Sequence, residues 1–482
     1  MSFEFERVSV SDVCELIVDC VNKTAPKVEH KTQFKMIRTP NIRYGVINLD
    51  GCNYVSEETY EKWTRRATVE KDDVLLTREA PMGEVGIIDF EDTVFLGQRI
   101  MQYRANKSKL CPKFLLYSFL SSDLKNQFYQ HEGSGSVVSH IRVPDCLKFE
   151  INLPPLKTQR KISSFLWGID QKIKNNSKMN QTLEQMAQAL FKSWFVDFEP
   201  VKAKIAVLEA GGSQEEATLA AMTAISGKDA DSLAVFEREH PEQYAKLKAT
   251  AELFPSVMQE SELGEIPGGW DIKNIKSLSV ALSKGTTPAK KDLSSEENKN
   301  INFLKVKDIG DDGRINSSNL DKISKRVHEM VLKRSVLQSN DILFSIAGTI
   351  GRVAVVASDM LACNCNQAIA FIRLKNCASH LNLVRLNLQS PRIQQEVESK
   401  VVQGVQANLS LTALGELDVV LPSDCVLIAF NNVITPIWEQ KLSITKSIML
   451  LTELRDTLLP KLLLGEIALP EAEWAVSEAE NV

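Results

Sequence analysis

"DVLLTREAPMGEVGII" at residues 73–88 and "DILFSIAGTIGRVAVV" at residues 341–356 lie over one another without a gap: Asp73 meets Asp341, Leu75 meets Leu343, Gly83 meets Gly351 and Val85 meets Val353, at a constant spacing of 268 (341 − 73). In each, a short run of strand-forming residues passes through a glycine-containing turn into a second apolar run, the pattern of two strands with a loop between them. Taken singly, such a passage is ordinary core structure. Written twice in one chain, it points to a repeat, and a repeat has to be settled before any motif is read.

The correspondence continues downstream. "LGQRIMQYR" (96–104) answers "CNQAIAFIR" (365–373) after a one-residue slip, with Gln98 over Gln367 and Arg104 over Arg373. The first spacing then returns, laying "INLPPLKTQRKI" (151–162) over "VVLPSDCVLIAF" (419–430), so that Leu153-Pro154 meets Leu421-Pro422. Each Leu-Pro follows a strand-like run and precedes a long helical pattern. In the first pattern Ile162, Leu166, Ile169, Ile173, Leu183, Ala187, Leu190 and Trp194 recur at four-three spacing, a heptad seam interrupted by Asn176 and Asn180. The second carries Phe430, Ile434, Ile437, Lys441, Ile444, Ile448, Leu451, Arg455, Leu458 and Leu462 on the same phase. One reading makes each stripe the buried face of a domain helix. The other pairs the two helices, and at about 40 residues and roughly 60 Å each an apolar stripe needs such a partner. A chain that runs out along the first helix and back along the second makes the pair antiparallel, with globular domains at opposite ends. Asn176 and Asn180 then either set the register at some cost in stability or lie where the seam opens to water.

A chain of 482 residues has room for two or more domains with full cores, and 44% hydrophobic and 25% charged residues are ordinary for a globular protein. No apolar run reaches the length of a membrane span, and "MSFEFERVSV" lacks the regions of a signal peptide, so a cytoplasmic location is expected. Nine scattered cysteines (Cys14, Cys20, Cys52, Cys111, Cys146, Cys363, Cys365, Cys377, Cys425) read as small buried hydrophobes rather than a disulfide framework. The net charge of −5 excludes a chain whose whole surface binds nucleic acid, and leaves local patches open. "NIRYG" (41–45), "KWTRRATVEK" (62–71), "ALSKGTTPAKK" (281–291) and "DKISKRVHEMVLKR" (321–334) are basic. Any one of them is a solvated face by default; their presence in both copies points to phosphate contact. Acidic residues gather in the tail "PEAEWAVSEAENV" and in residues 200–269, an Ala-, Glu- and Gly-rich joining segment that scans as short helices before "LGEIPGGW" (263–270) opens the second copy.

The search for catalytic machinery returns little. The Gly227-Lys228 pair is followed by Asp229 and lacks the upstream glycine of a phosphate-binding loop. There is no HExxH, no paired CxxC and no GxSxG, and Cys363-x-Cys365 has no His or Cys company for zinc. "NLPPL" (152–156) falls short of the Asn/Asp-Pro-Pro-aromatic tetrad of an amino-methyltransferase, and no glycine-rich cofactor loop accompanies it. Neither a catalytic residue nor a metal site is assigned.

Two α/β halves, each ending in Leu-Pro and a long heptad helix, resemble the specificity subunit of type I restriction-modification systems. The most specific text is "TLEQMAQALFKSWFVDFEPVKAK" (182–204), supported by "LGEIPGGW" and "LLPKLLLGEI" (458–467), and the resemblance covers nearly the whole chain. It implies a mixed α+β fold of two pseudo-repeated globular target recognition domains separated by two long antiparallel coiled-coil helices. The segments expected are recognition domain one at 1–154, a central spacer helix at 155–199, the joining segment at 200–269, recognition domain two at 270–422, a C-terminal spacer helix at 423–465 and an acidic tail at 466–482. It further implies a non-catalytic subunit whose domains each read one half of a bipartite, asymmetric duplex DNA target while the helix pair fixes the gap. The partners implied are two methyltransferase subunits and two restriction/translocase subunits, with S-adenosylmethionine, ATP and magnesium held by them and none by this chain. A stand-alone bipartite DNA-binding regulator and a protein scaffold are the alternatives.

Residue chemistry narrows the contacts: Arg and Lys suit phosphate and guanine edges, Asn and Gln suit adenine edges. The strand-loop-strand passage and the polar loop before Leu-Pro give Arg78, Gln98, Arg99, Ser134 and Ser136 in the first copy and Gln367, Gln406 and Asn408 in the second. Arg43, Arg65, Arg66, Lys284, Lys305, Lys307 and Arg326 are the basic candidates. Protein partners are expected on the helices, at Ile162, Leu166, Ile169, Ile173, Asn176, Asn180, Leu183, Leu190, Ile434, Ile437, Ile444, Ile448, Leu451 and Leu458. The flanking aromatics of "FKSWFVDF" (191–198) serve either as further partner contacts or as a cap on the helix pair.

Overall fold

A computed structural model describes residues 5–21, 23–130, 140–289, 292, 298–317, 319–401 and 407–480. The chain forms two compact units, Met1–Asn180 with Ser443–Val482 and Gln181–Leu442. The two long helices, Leu156–Phe195 and Asp424–Leu464, each contribute one part to each unit.

In the first unit Glu6–Ser9 pairs antiparallel with Glu150–Leu153, closing the domain just before the first long helix leaves it. The strands Cys14–Asp19, Ile100–Ala105, Val74–Thr77 and Val85–Ile87 form an antiparallel sheet in that spatial order. A smaller sheet places Lys35–Ile37 between Asn53–Tyr54 and Val94–Leu96. Helices Pro112–Leu120 and Ser122–Gln130 supply Phe114, Phe119 and Phe128 to a core shared with Tyr103 and Phe149. Its rings meet edge to face, Tyr103 with Phe119 at 4.9 Å and Phe128 with Phe149 at 4.8 Å between centroids. Ile162, Leu166, Leu458 and Leu462 enter the same core, so the helix ends are domain structure as well as spacer.

The second unit repeats this order. Asp271–Asn274 pairs with Asp418–Leu421, Ser279–Lys284, Ile369–Leu374, Ile342–Ser345 and Val353–Val355 make the four-stranded sheet, and Lys299–Leu304 lies between Asp321–Ser324 and Cys363–Cys365. The repeat holds at the atomic scale. Buried Asp73 grips Arg104 at 2.9 Å and buried Asp341 grips Arg373 at 2.8 Å, each through two parallel bonds. Gly83 and Gly351, matched in sequence, have φ of +84° and +95°, and a Cβ at Gly351 would also collide with the Gln394 amide.

Residues 199–252 form four helices, Glu199–Glu209, Gln214–Ser226, Ala230–Glu239 and Pro241–Glu252. The second opens with a reciprocal Ser213–Glu216 capping box and ends at Gly227 in the left-handed conformation. Buried Lys204 ties the group together by donating to the Ala251 and Phe254 carbonyls at 3.1 and 2.7 Å. The aromatics of residues 191–198 differ from the expectation of partner contacts. Phe191, Trp194, Phe195 and Phe198 are buried, and Trp194, Phe195 and Phe198 pack with Phe254, Trp270 and Phe430, because the helices after residue 199 return this surface to the second unit's own core. The segment expected as an acidic tail includes a helix, Leu469–Glu480, whose Ala472 is buried beside Leu469 and Val476 on the first unit's core. Its acidic composition hid a small apolar face.

Within each unit the long helices run antiparallel. In the first, Asp170 meets Arg455 at 2.8 Å, Asn176 meets Ser447 at 3.2 Å and Asn180 meets Thr445 at 3.0 Å, the partners falling in number as the first helix rises. Asn180 is 5% exposed, so the seam stays closed at this position and the amide is bonded across it. In the second unit Glu184 pairs with Lys441 and Trp194 packs against Phe430. Leu183 and Ile434 are buried, Leu190 and Ile437 half-buried. In the first unit Ile169 and Leu451 are buried, and Ile173, Ile444 and Ile448 half-buried. Among the described residues no helix is long and apolar enough to cross a membrane.

Candidate nucleic-acid interface

The first sheet ends in a group of turns that hydrogen bonds draw together. Thr77 closes strand Val74–Thr77 by donating its hydroxyl to the Pro81 carbonyl at 2.6 Å and accepting from the Glu84 amide at 2.9 Å, which cinches residues 78–83 into a loop. Arg78 joins two neighbouring turns: its amide donates to the Arg99 carbonyl at 2.8 Å, and its own carbonyl accepts from Ile141 at 3.0 Å. Glu79 pairs with Arg99 at 3.2 Å and forms a β-bridge with His140. A third turn arrives through Gly97, whose amide donates to the Ile37 carbonyl at 2.7 Å; a Cβ here would stand 2.9 Å from that carbonyl, so glycine permits the approach. This brings exposed Arg38 beside Gln98 and Arg99. Arg66 reaches the same end of the sheet, where it pairs with Asp19 and donates to the Cys20 carbonyl at 3.1 Å.

The second sheet is finished in the same way with different side chains. Ser345 donates to the Thr349 carbonyl at 2.6 Å and accepts from the Arg352 amide at 2.8 Å. Ile346 takes the bridging place of Arg78, bonding to the Ala368 carbonyl at 2.8 Å and accepting from Leu409 at 2.9 Å, while Ala347 forms the β-bridge with exposed Asn408. Exposed Gln367 accepts from the Thr287 hydroxyl, and the Gly285 amide donates to the Ile369 carbonyl at 3.0 Å, which carries the chain after Lys284 across this turn. Asn366 donates to the Leu304 carbonyl at 3.0 Å and so places Lys305 where the first copy has Arg38. Hydrogen bonding to Lys305 holds the Asp321 carboxyl below its ordinary range despite partial burial.

The expected residues therefore fall into three groups. Arg66, Arg78, Gln98 and Arg99 gather on the first sheet end, and Lys284, Lys305, Gln367 and Asn408 on the second, with Lys307 exposed in the turn that follows Lys305. Arg43 is an internal tie whose guanidinium donates to the Thr39 and Ile42 carbonyls at 2.7 and 2.5 Å. Exposed Arg65 and Arg326 have no described contact with these turns. Ser134, Ser136 and Gln406 lie outside the described residues. Arg38 and Thr287 escaped the sequence reading. Laying "KMIRTPNI" (35–42) over "NFLKVKDI" (302–309) puts Arg38 on Lys305 and would have found the first. Tyr44, 75% exposed at the tip of the hairpin Ile42–Arg43/Val46–Ile47, also escaped it; its φ of 49° turns it outward.

Chemically each sheet end offers guanidinium, ammonium and carboxamide groups on short, braced turns, the donors that suit phosphate oxygens and base edges. Among the described residues no group of three or more His, Cys, Asp or Glu is placed to hold a metal ion.

Comparison with known proteins agrees in two places along the chain. The family model described as "Type I restriction modification DNA specificity domain" matches residues 3–185 and 267–425. The type I restriction enzyme HindI specificity subunit of Haemophilus influenzae is 31% identical over 83% of this chain and 88% of its own length. The MjaIX specificity subunit of Methanocaldococcus jannaschii is 24% identical over 83% and 79%. Among solved structures, a type I restriction-modification S subunit from M. genitalium aligns over 95% of this chain and 96% of its own at 12% identity, with a TM-score of 0.49. On the two family-model matches and the 31% identity across most of both chains, this protein belongs to the type I restriction-modification DNA specificity subunits.

Proposed function

We propose that the two sheet ends are two reading heads for one bipartite duplex target, each contacting one half-site, with the paired long helices fixing the unspecified gap. The observation that carries this reading is a bracing scheme kept in both copies while the side chains it presents change. Thr77 and Ser345 cinch equivalent loops, yet Arg78, Glu79, Arg99 and His140 stand where the other copy has Ile346, Ala347, Ala368 and Asn408. A common scaffold with unlike readout groups is what an asymmetric target demands. Two weak contacts on one rigid spacer also become strong together, because the second is effectively intramolecular.

The chain does not catalyse; it supplies sequence recognition to partners. Two methyltransferase subunits dock on the helix pair and hold S-adenosylmethionine, and two restriction subunits add ATP- and magnesium-dependent translocation, all within the cytoplasm. The test is to co-express the full chain with the methyltransferase subunits in a host free of DNA methylation and to map modified bases genome-wide. A split motif with a fixed gap is expected. A continuous motif, or none from a complex that assembles, would refute two-headed reading.

A further inference from the structure

In both copies the helix that follows the four-stranded sheet meets a long helix at one matched pair of positions. In the first, the Tyr117 hydroxyl donates to Asp170 Oδ2 at 2.6 Å, and Asp170 Oδ1 accepts from Arg455 Nη1 at 2.8 Å on the second long helix. In the second, the residues at the same spacing are Arg385 and Trp438, and the guanidinium lies 3.8 Å from the indole ring centre. From Trp438 the contact continues across the seam as in the first copy: Lys441 Nζ lies 5.2 Å from the ring centre, pairs with Glu184 on the first long helix, and donates to the Asp312 carbonyl at 3.4 Å. A loop of the recognition domain is thereby included, since a Cβ on Gly313 would come within 3.3 Å of Gln389 and 3.8 Å of Arg385.

These contacts are directional, and they sit where apolar packing would serve stability as well or better. Tyr117 is fully buried. Burial and then Asp170 keep its phenol protonated, so it remains the donor. Burial lowers the Arg385 guanidinium, opposed by Glu184, and it lowers Lys441, again opposed by Glu184. Arg385 Nε and Trp438 Nε1 are buried without a hydrogen-bond partner among the described residues, so these two groups are joined by stacking. Replacing a buried ionic set by well-packed apolar groups is often neutral or stabilising. What such a set adds is one allowed geometry: an apolar face tolerates sliding, whereas a bidentate or stacked contact made at both ends does not.

We propose that Tyr117, Asp170 and Arg455 in the first copy, and Arg385, Trp438, Lys441 and Glu184 in the second, are positioning residues that fix the pose of each recognition domain on the long helices and so set the gap length of the DNA target. The proposal rests on the two-half-site reading above. It assigns no base contact to these residues; they act through the domain they hold.

The test uses the full chain in complex with the methyltransferase subunits, on duplexes carrying the native gap and gaps one base pair shorter or longer. Tyr117→Phe and Arg385→Gln are expected to keep the half-site bases, while the preference for the native gap over the altered ones falls by roughly tenfold, the scale of one lost hydrogen bond to a charged group. If Arg385→Gln does not assemble, Trp438→Phe preserves an aromatic surface with a weaker face for the cation, and a loss of about threefold is expected. Assembled variants with undiminished gap preference overturn the proposal. A wild-type complex that modifies no split motif refutes the two-headed reading instead, and so separates the two failures.

Discussion

Asp73 and Asp341 show how much of this fold hangs on single residues. Each carboxylate is cut off from water, pairs with an arginine on the neighbouring strand and accepts a backbone amide from the turn before its own strand, Glu70 at 2.7 Å and Gln338 at 2.8 Å. Removing either leaves a guanidinium and an amide short of their acceptor inside the sheet, so Asp73→Ala and Asp341→Ala should each cost about 3 kcal/mol. Urea unfolding at unchanged slope checks this; a cost below about 1 kcal/mol would show the pairs to be ornamental. The buried thiols make a second residue-scale prediction. Burial raises Cys146 to about 11 and, with Asp341 adding, Cys363 to about 12, both above the ordinary thiol value of 9. Below pH 9 the folded and unfolded states hold the same protons on these groups. Above it only the unfolded thiols ionise, so stability should fall by roughly 1.4 kcal/mol per pH unit for each. Thermal melts between pH 8 and 10.5 should show the loss, and Cys146→Ala with Cys363→Ala should flatten it.

At the scale of elements, the long helices were the most legible part of the chain, because a four-three apolar period over 40 residues has few other meanings. Their polar interruptions were legible as positions and not as partners. Lys441 sits on the stripe in sequence, but Glu184, the group that permits its burial, lies on the other helix, where no local pattern connects them. The Glu184–Lys441 pair is mostly buried, so the single and double substitutions should behave differently. Glu184→Leu leaves an ammonium without its counter-charge and should cost about 3 kcal/mol, whereas Glu184→Leu with Lys441→Met should return to within about 1 kcal/mol of wild type or exceed it. Chemical denaturation of the three chains decides it, and equal costs for single and double variants would mean that the pair carries no coupling. The helix Leu469–Glu480 marks the opposite limit of sequence reading. Its composition is that of a solvated tail, and only docking on the first unit's core reveals the apolar face that Leu469, Ala472 and Val476 make.

For the whole molecule the question is how a chain of net charge −5 engages a polyanion. The answer the fold supports is segregation: cations stand on the turns at the two sheet ends, while much of the acid lies in the joining helices and the C-terminal segment. The repeat itself was readable, since Asp73, Gly83, Asp341 and Gly351 are demanded by backbone geometry. The reading residues were only partly so, because turns several strands apart are gathered by backbone bonds that leave no trace in the side-chain pattern, and Arg38 was passed over for that reason. Arg38 follows a strand end and carries no described ion pair, as befits a phosphate contact; Arg99 is held in place by Glu79, as befits a base contact. Arg38→Ala should therefore weaken binding on every sequence alike and reduce the steepness of log affinity against log salt by about 1, whereas Arg99→Ala should cost roughly 1–3 kcal/mol and relax one base position. Titrations on target and scrambled duplexes at several salt concentrations separate the two, and a uniform effect from Arg99→Ala would move it to the phosphate class. The two heads also have separate cores, the first built around Tyr103 and Phe119 and the second around Phe344 and Ile372. A change of readout in one thus has no packed route to the other. Gln367→Ala should relax a base in one half-site and leave every base of the other half-site, and the gap, as in wild type. Mapping the modified motif of that variant tests the point directly, and relaxation spread across both half-sites would mean that the heads read the target as one coupled surface.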